Sequence, residues 1–167
     1  MSIKAVLSPE EISWALTRMT HELLERNKGT TDVVALGIVT RGVPLARRLA
    51  AIAEREGATL PVGELDITMY RDDLRRNPTR APQPTRLPRP IDDKIVVLVD
   101  DVLYSGRTVQ AALHALADLG RPRAVQLVTL VDRGHRELPI QADIVGQSLP
   151  PPRSARLREG LREMAGH

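Results

Sequence analysis

Apolar residues near the amino terminus repeat at a helical spacing. One helical face is marked by residues three or four apart, namely Ile12, Leu16, Met19 and Leu23. Ser8 precedes this run, Pro9 suits the first turn, and Glu11 stands three residues after the serine, as in a capping box. Gly29 suits the helix end. The pattern therefore predicts a helix that begins at Pro9 and ends before Gly29.

Farther along the chain, apolar runs alternate with helical patterns. These runs predict strands at 32–40, 62–69, 95–99 and 124–131, with a short extended piece around Ile144. Helical spacing predicts one helix that begins at Pro44 and another over 108–119 that ends at Gly120. Because strands that alternate with helices form βαβ units, we expect an α/β fold with a central, mostly parallel sheet and helices on both faces. Ligands of such sheets bind at the carboxyl ends of the strands.

Length and composition narrow the class of protein. The chain has 167 residues, enough for one core, and we treat 1–167 as a single domain. No apolar run approaches the roughly 20 residues of a membrane span, and the amino terminus lacks a signal-peptide core, so we expect a cytoplasmic protein with no membrane partner. Cysteine is absent, which excludes disulfides and cysteine-ligated metals.

The basic residues are strongly biased toward arginine. Only three of the 24 basic residues are lysine, and the rest are arginine, whose planar fork suits bidentate contacts with phosphate. A general preference for arginine codons would explain the same bias. The net charge of +3 indicates polyanion binding only weakly, and the absence of phenylalanine argues against an aromatic platform for stacked bases.

A proline-rich segment interrupts the alternation of elements. Residues 77–90 hold five of the thirteen prolines and three arginines, so they form neither a regular helix nor a central strand. Long loops inside compact domains are often active-site lids. We therefore interpret residues from about 71 to 90 as a mobile loop whose arginines close over phosphate. The alternative is a surface loop that has no role in ligand binding.

The strand at 95–99 runs directly into the polar stretch DDVLYSGRT. Asp100 and Asp101 stand where the apolar run ends, and strand alternation sends their side chains opposite ways. Gly106 permits close backbone approach, and the amides at the start of the next helix form a phosphate cradle with the Ser105 and Thr108 hydroxyls. Neither common Gly-rich nucleotide motif is present. A ribose 5-phosphate fits this combination, and the alternative is a strand that ends in a capped turn.

This stretch resembles the phosphoribosyl-pyrophosphate motif of the type I phosphoribosyltransferases. Segments at 20–29, 37–50, 61–74, 118–122 and 130–146 resemble, in order and spacing, the pyrimidine-operon regulators that are also uracil phosphoribosyltransferases. The likeness covers roughly residues 4–154. It implies the type I phosphoribosyltransferase fold, in which a central parallel sheet is flanked by helices and a small hood. It also implies that uracil and phosphoribosyl pyrophosphate give UMP and pyrophosphate, with Mg²⁺ as cofactor.

The resemblance assigns roles to the residues of these motifs. Asp100 and Asp101 match the acids of the ribose and metal region, which Mg²⁺ reaches through water or substrate, and Arg41 and Arg71 are the other expected catalytic residues. The 5-phosphate loop is expected at Val102, Leu103, Tyr104, Ser105, Gly106, Arg107 and Thr108. Further substrate contacts are expected in the pyrophosphate loop (Thr40, Arg41 and Gly42), the far half of the mobile loop (Arg86) and the base site (Asp132 and Arg133).

The resemblance also implies a second function in binding RNA. Proteins of this kind bind the messenger RNA leader of their own operon in response to UMP, and so control attenuation or translation. The residues that match their RNA face are Thr17, Arg18, His21, Arg26, His135 and Arg136. The sequence departs at Gln141 and Gln147, where many relatives have arginine and lysine, so two potential phosphate contacts are lost. Residues 151–167 also depart, since their apolar spacing is helical where relatives continue into a β-rich tail.

Two other functions fit parts of the sequence. An RNA-binding nucleotide sensor with little or no transferase activity would keep the same phosphate loop. A phosphoribosyltransferase for a purine or orotate would also keep it, but the VDRGHRELP segment at 131–139 disfavours this reading. The resemblance further implies a homodimer or a higher homo-oligomer.

Overall fold

Helices and strands alternate along the chain from Pro9 onwards. The computed structural model describes residues 7–71 and 85–149. Its elements are α1 (Pro9–Asn27), β1 (Val33–Ile38), α2 (Gly42–Arg55), β2 (Val62–Leu65), a 3₁₀ turn (Thr68–Tyr70), β3 (Ile95–Leu103), α3 (Arg107–Leu119), β4 (Ala124–Asp132) and β5 (Ile144–Ser148). None of these described helices is both long and apolar enough to cross a membrane. The helix expected in 151–167 and most of the predicted mobile loop, 72–84, lie outside the described residues.

The five strands of the described chain form one parallel sheet in the order β2-β1-β3-β4-β5. Every residue of β1 is buried, as expected for a strand that is covered on both faces. One hydrophobic cluster lies between the sheet and helices α1 and α2, and a second lies between the opposite face and α3. These layers confirm the predicted α/β fold with a parallel sheet.

Helix α1 begins as the sequence predicts. The Glu11 amide donates to the Ser8 hydroxyl at 3.1 Å, and the Ser8 amide donates to the Glu11 carboxylate at 3.0 Å. At the other end, Lys28 and Gly29 adopt positive φ angles of 52° and 106°. On the predicted apolar face Leu16, Met19 and Leu23 are buried in the cluster against the sheet, and Ile12 is partly buried. Local sequence therefore fixes both ends of this helix.

Two strands differ most in length from the prediction. Strand β2 ends at Leu65, and the prediction of a strand as far as residue 69 is wrong. The reason is that the Asp66 carboxylate accepts hydrogen bonds from the amide and hydroxyl of Thr68, at 2.9 and 2.6 Å, which favours the 3₁₀ turn. Strand β3 continues to Leu103, beyond the predicted end at residue 99. The two aspartates are therefore strand residues.

The connection from β1 to α2 lies close against β3. The two strands are neighbours, with Gly37 opposite Val99, so their carboxyl ends open at the same edge of the sheet. Helix α2 begins at Gly42, two residues before the predicted opening residue Pro44. A Cβ atom at residue 42 would be 2.1 Å from the Val99 carbonyl oxygen. Glycine is therefore required here for α2 to start beside the end of β3.

Candidate active site

Two adjoining cavities lie at the carboxyl edge of the sheet. The first, of about 230 Å³, lies between the β3–α3 loop and the ends of β3 and β4. The second, of about 330 Å³, lies between the ends of β1 and β3. Of the described residues, four line both cavities: Arg71, Asp100, Val102 and Thr108. The cavities therefore form one continuous space, which we call the edge groove.

The two adjacent aspartates both line the edge groove. Each carboxylate accepts a hydrogen bond from the following backbone amide, Asp100 from Asp101 at 2.9 Å and Asp101 from Val102 at 2.8 Å. Strand alternation alone predicts that the side chains diverge. In the structure both residues nevertheless line the same cavity at the end of β3.

The two carboxyl groups differ in their electrostatic surroundings. The pKa of Asp100 is raised to about 8, first by burial and then by the negative charge of Asp101, against the opposing charge of Arg71. Asp101 instead has the Arg41 guanidinium 3.8 Å from its Oδ2 atom. Asp100 is therefore largely protonated at neutral pH, and a cation in the edge groove would favour its ionised form.

The loop between β3 and α3 forms an anion site at one end of the groove. Gly106 has a φ of 95° and precedes the first helical residue. The Arg107 amide donates to the Ser105 hydroxyl at 3.2 Å. Tyr104, Ser105, Gly106 and Thr108 all line the first cavity, so the amino end of α3 faces it. Amides at a helix start and the positive end of the helix dipole favour phosphate at this position.

The turn between β1 and α2 lies at the other end of the groove. Thr40 and Arg41 line the second cavity, and the peptide bond between Val39 and Thr40 is cis. The Arg41 side chain is 77% exposed, so its guanidinium is accessible to an anionic group in the groove. The groove thus has a helix start at one end, a guanidinium at the other and two carboxyl groups between them.

Arg71 is held beside the groove by the 3₁₀ turn that precedes it. The Tyr70 hydroxyl donates to an Asp118 carboxylate oxygen at 2.6 Å, which ties this turn to α3. The same bond raises the pKa of Tyr70. The two residues are 48 positions apart, so no local pattern in the sequence indicates the pair.

Several predicted substrate residues do not line either cavity: Gly42, Arg86, Arg107, Asp132 and Arg133. Arg86 pairs through its backbone with Glu64 at the outer edge of β2. The Asp132 carboxylate accepts a hydrogen bond from the Arg136 guanidinium at 2.7 Å. The roles of these residues toward substrate stay predictions. Asp72 and Asp73, at the start of the predicted mobile loop, lie outside the described residues.

Some residues that line the edge groove were not predicted from the sequence. Val109, Leu127 and Thr129 line the first cavity, and Ile38 and Val39 line the second. These side chains belong to apolar strands and a helix, where the sequence pattern indicates only core positions. Their place in the lining follows from the order of the strands, which local sequence does not show.

The predicted RNA residues lie in two places. Arg18 and Arg26 project from α1 toward β5, where they bond to backbone carbonyls of Val145 and Gly146 and to Asp143, respectively. Also on α1, the Thr17 hydroxyl donates to the Ser13 carbonyl and His21 lies 3.3 Å from Glu56. His135 and Arg136 belong instead to the loop after β4, where the His135 ring stacks on Tyr104 with centroids 5.2 Å apart.

Comparison with known proteins assigns the family. The family model described as a phosphoribosyl transferase domain matches residues 2–153. The chain is 60% identical to the bifunctional protein PyrR of Leifsonia xyli subsp. xyli, over 99% of this chain and 94% of that protein. It is 58% identical to the bifunctional protein PyrR of Chloroflexus aurantiacus, over 98% and 91% of the two chains.

A solved structure agrees with the described fold. The hypoxanthine phosphoribosyltransferase of Trypanosoma cruzi matches with a TM-score of 0.66 at 16% identity, over 84% of this chain and 78% of that one. At this low identity the likeness concerns the fold, and the family rests on the sequence matches. The chain therefore belongs to the phosphoribosyltransferase family and, within it, to the bifunctional PyrR proteins.

Proposed function

We propose that this protein transfers the phosphoribosyl group of phosphoribosyl pyrophosphate to uracil, forming UMP and pyrophosphate, and that it regulates a pyrimidine operon by binding its messenger RNA leader. The observation that carries the catalytic part is the edge groove, in which Asp100 and Asp101 lie between two anion sites. Membership of the PyrR group supports uracil as the base and RNA as the partner.

The proposed reaction separates charge, and the groove has matching charges. As the bond to pyrophosphate breaks, positive charge develops on the sugar and negative charge on the leaving group. Arg41 and Arg71 hold the leaving pyrophosphate in this proposal, while the 5-phosphate binds at the start of α3. The aspartates then lie beside the sugar, where ionised carboxylates stabilise positive charge. Catalysis on this account is positioning and electrostatic stabilisation, with no covalent bond to the protein.

The donor set fits a magnesium ion that is shared with substrate. Among the described residues, no three histidine or acidic side chains cluster as a closed metal site. Mg²⁺ commonly binds through one or two carboxylates, keeps several waters and takes its other ligands from substrate phosphates. Asp100 and Asp101 would hold it through water or substrate. When bound, the ion neutralises the pyrophosphate, and it also favours ionised Asp100.

Uracil is proposed to bind on the β4 side of the groove, near Asp132 and Arg133. Asp132 is the last residue of β4, and its register partner in the neighbouring strand is Leu103. Leu103 in turn lines the first cavity, so the two segments are adjacent. Uracil is small and neutral, and backbone groups are suited to recognise it by hydrogen bonds.

For the regulatory function, the RNA is proposed to bind to the basic residues of α1 and of the loop that follows β4. Arginine and histidine suit contacts with phosphates and exposed bases of an RNA loop. Gln147 lies in β5, next to the Gly146 carbonyl that accepts a hydrogen bond from Arg18. The cation that many relatives carry at residue 147 is therefore absent beside the α1 surface. We propose that the protein acts in the cytoplasm as a homodimer or higher homo-oligomer.

The substrate is tested by offering the purified protein phosphoribosyl pyrophosphate with uracil, orotate or hypoxanthine. We expect UMP from uracil, no comparable product from the other two bases, and loss of turnover when EDTA removes Mg²⁺. Turnover with hypoxanthine or orotate, but not uracil, would overturn the assignment of the base. Tight binding of UMP without turnover on any base would favour the nucleotide sensor.

A further inference from the structure

The loop after β4 wraps around the phosphate loop. We call residues 133–140 the brace loop, and the phosphate loop is Tyr104–Thr108. The amides of Glu137 and Leu138 both donate to the Ser105 carbonyl, at 2.9 and 3.1 Å. The Arg107 guanidinium donates to the Glu137 carboxylate at 2.6 Å. The two loops therefore form one hydrogen-bonded unit at the edge of the sheet.

Arg136 is the side chain that joins this unit together. Its guanidinium donates to the Tyr104 carbonyl at 2.9 Å, to the Ile140 carbonyl at 2.7 Å and to the Asp132 carboxylate at 2.7 Å. The side chain is only 22% exposed, and that of Asp132 is 17% exposed. Three acceptors on three separate segments match the planar fork of arginine, which lysine does not reproduce.

These bonds fix the direction of the amides that face the first cavity. In a trans peptide unit the C=O and N–H groups point opposite ways. Because the Tyr104 carbonyl is held by Arg136, the amide of Ser105 points away from the brace loop. The Ser105 carbonyl is likewise held by the brace loop, so the amide of Gly106 also points away from it. Both residues line the cavity in which the phosphate is proposed to bind.

We propose that Arg136 is a positioning residue for the phosphate loop, and that through the Tyr104 carbonyl it sets the amides that bind the 5-phosphate. This inference rests on the proposed function, which places the 5-phosphate at that loop. The 5-phosphate is bound in the ground state and in the transition state alike. Loss of Arg136 should therefore raise the KM for phosphoribosyl pyrophosphate and leave kcat nearly unchanged. The affinity for pyrophosphate, which is proposed to bind at the other anion site, should not change.

The test compares Arg136→Lys and Arg136→Gln with the wild type in the binding of UMP and of pyrophosphate by calorimetry. We expect UMP affinity to fall at least about tenfold in both variants, since a buried charge-assisted network is lost. Pyrophosphate affinity should stay within about twofold, because none of the described residues that line the cavity at Arg41 belongs to the brace loop. The KM for phosphoribosyl pyrophosphate should rise with that for UMP in the reverse reaction.

Arg123→Gln is the matched control. Arg123 lies just before β4, at the opposite end of the strand, with a half-exposed side chain 3.4 Å from Asp32. Arg123→Gln removes one positive charge, as Arg136→Gln does. Its affinities for UMP and pyrophosphate should equal those of the wild type. Wild-type UMP affinity in Arg136→Lys would overturn the inference. An equal loss of UMP and pyrophosphate binding, with a lowered Tm, would also overturn it, because the residue would then support only the fold.

The two calorimetric titrations do not require turnover. If the wild type binds UMP and pyrophosphate but forms no UMP from uracil, the proposed activity fails and the role of Arg136 is still tested. If UMP binds equally well to wild type and both variants while turnover is normal, the activity stands and the role of Arg136 is wrong.

Discussion

Asp100 is a residue whose charged form opposes folding. Its pKa of about 8 lies above the usual 3.8, so between these values the folded protein keeps a proton that the unfolded chain has lost. Folding stability therefore falls as the pH rises through this window. The Asp100→Asn variant removes the charge and keeps an acceptor for the Asp101 amide. We expect it to exceed the wild type in free energy of unfolding by at least about 1 kcal/mol at pH 9, and to equal it near pH 4.

Urea denaturation from pH 4 to 9 in magnesium-free buffer measures this difference. Asp32→Asn is the control: it should be less stable than the wild type, and the difference should stay constant over this pH range. Hydrogen bonds from Lys94 and then Arg123 lower the pKa of Asp32, so its contribution is present at neutral pH and is lost as the pH falls below 3.8. A stability difference between Asp100→Asn and wild type that did not change with pH would contradict the burial of a neutral Asp100.

Among the elements, helix α2 depends on one glycine at its start. The Cβ of Gly42→Ala would be 2.1 Å from the Val99 carbonyl oxygen, so α2 or β3 must move. We expect a loss of about 3 kcal/mol in the free energy of unfolding, as for an overpacked core. Equilibrium urea denaturation measures the loss. Ala51→Ser, on the exposed face of α2, should change stability by no more than about 0.5 kcal/mol. Equal stability of the two variants would disprove the close approach.

How much of the fold the sequence predicts depends on whether the deciding contacts are local or distant along the chain. The start of α1 was predictable because Ser8 and Glu11 satisfy each other's amides within one turn. The end of β2 was mispredicted because an apolar run gives no sign that Asp66 will bond to Thr68 and turn the chain. The continuation of β3 through two aspartates was also missed, since their carboxylates are stabilised by backbone amides that alternation does not reveal.

At the scale of the whole molecule, the candidate site contains residues that local sequence predicts and residues that it does not. The stretch from Asp100 to Thr108 was predictable because strand, acids and helix start are contiguous. Thr129 and Arg136 were not predictable as parts of the groove and its support, because Thr129 reaches the edge through strand order and Arg136 bonds to a carbonyl 32 residues away. The resemblance supplied Arg41 and Arg71, which short motifs alone indicate weakly.

The proposed RNA binding is also a property of the whole molecule, since the predicted contact residues belong to several elements. The net charge is only +3, and Gln141 and Gln147 are exposed where many relatives have cations. We expect the double variant Gln141→Arg, Gln147→Lys to steepen the salt dependence of leader RNA binding by about 1.5 units of slope. Filter binding across salt, with and without UMP, measures it. His114→Lys on the exposed side of α3 adds one charge elsewhere and should not steepen it. A steepening of about half the size in this variant would mean that RNA senses net charge alone.

The measurement that tests the edge groove most directly is UMP formation from uracil and phosphoribosyl pyrophosphate in Asp101→Asn and Arg41→Ala, with Arg123→Gln as the control. Asp101 and Arg41 face the reacting groups in our account, so each substitution should lower kcat/KM by about a hundredfold or more, with the fold intact by circular dichroism. The control should turn over as the wild type does. Full activity in both groove variants would contradict the assignment of this groove as the active site.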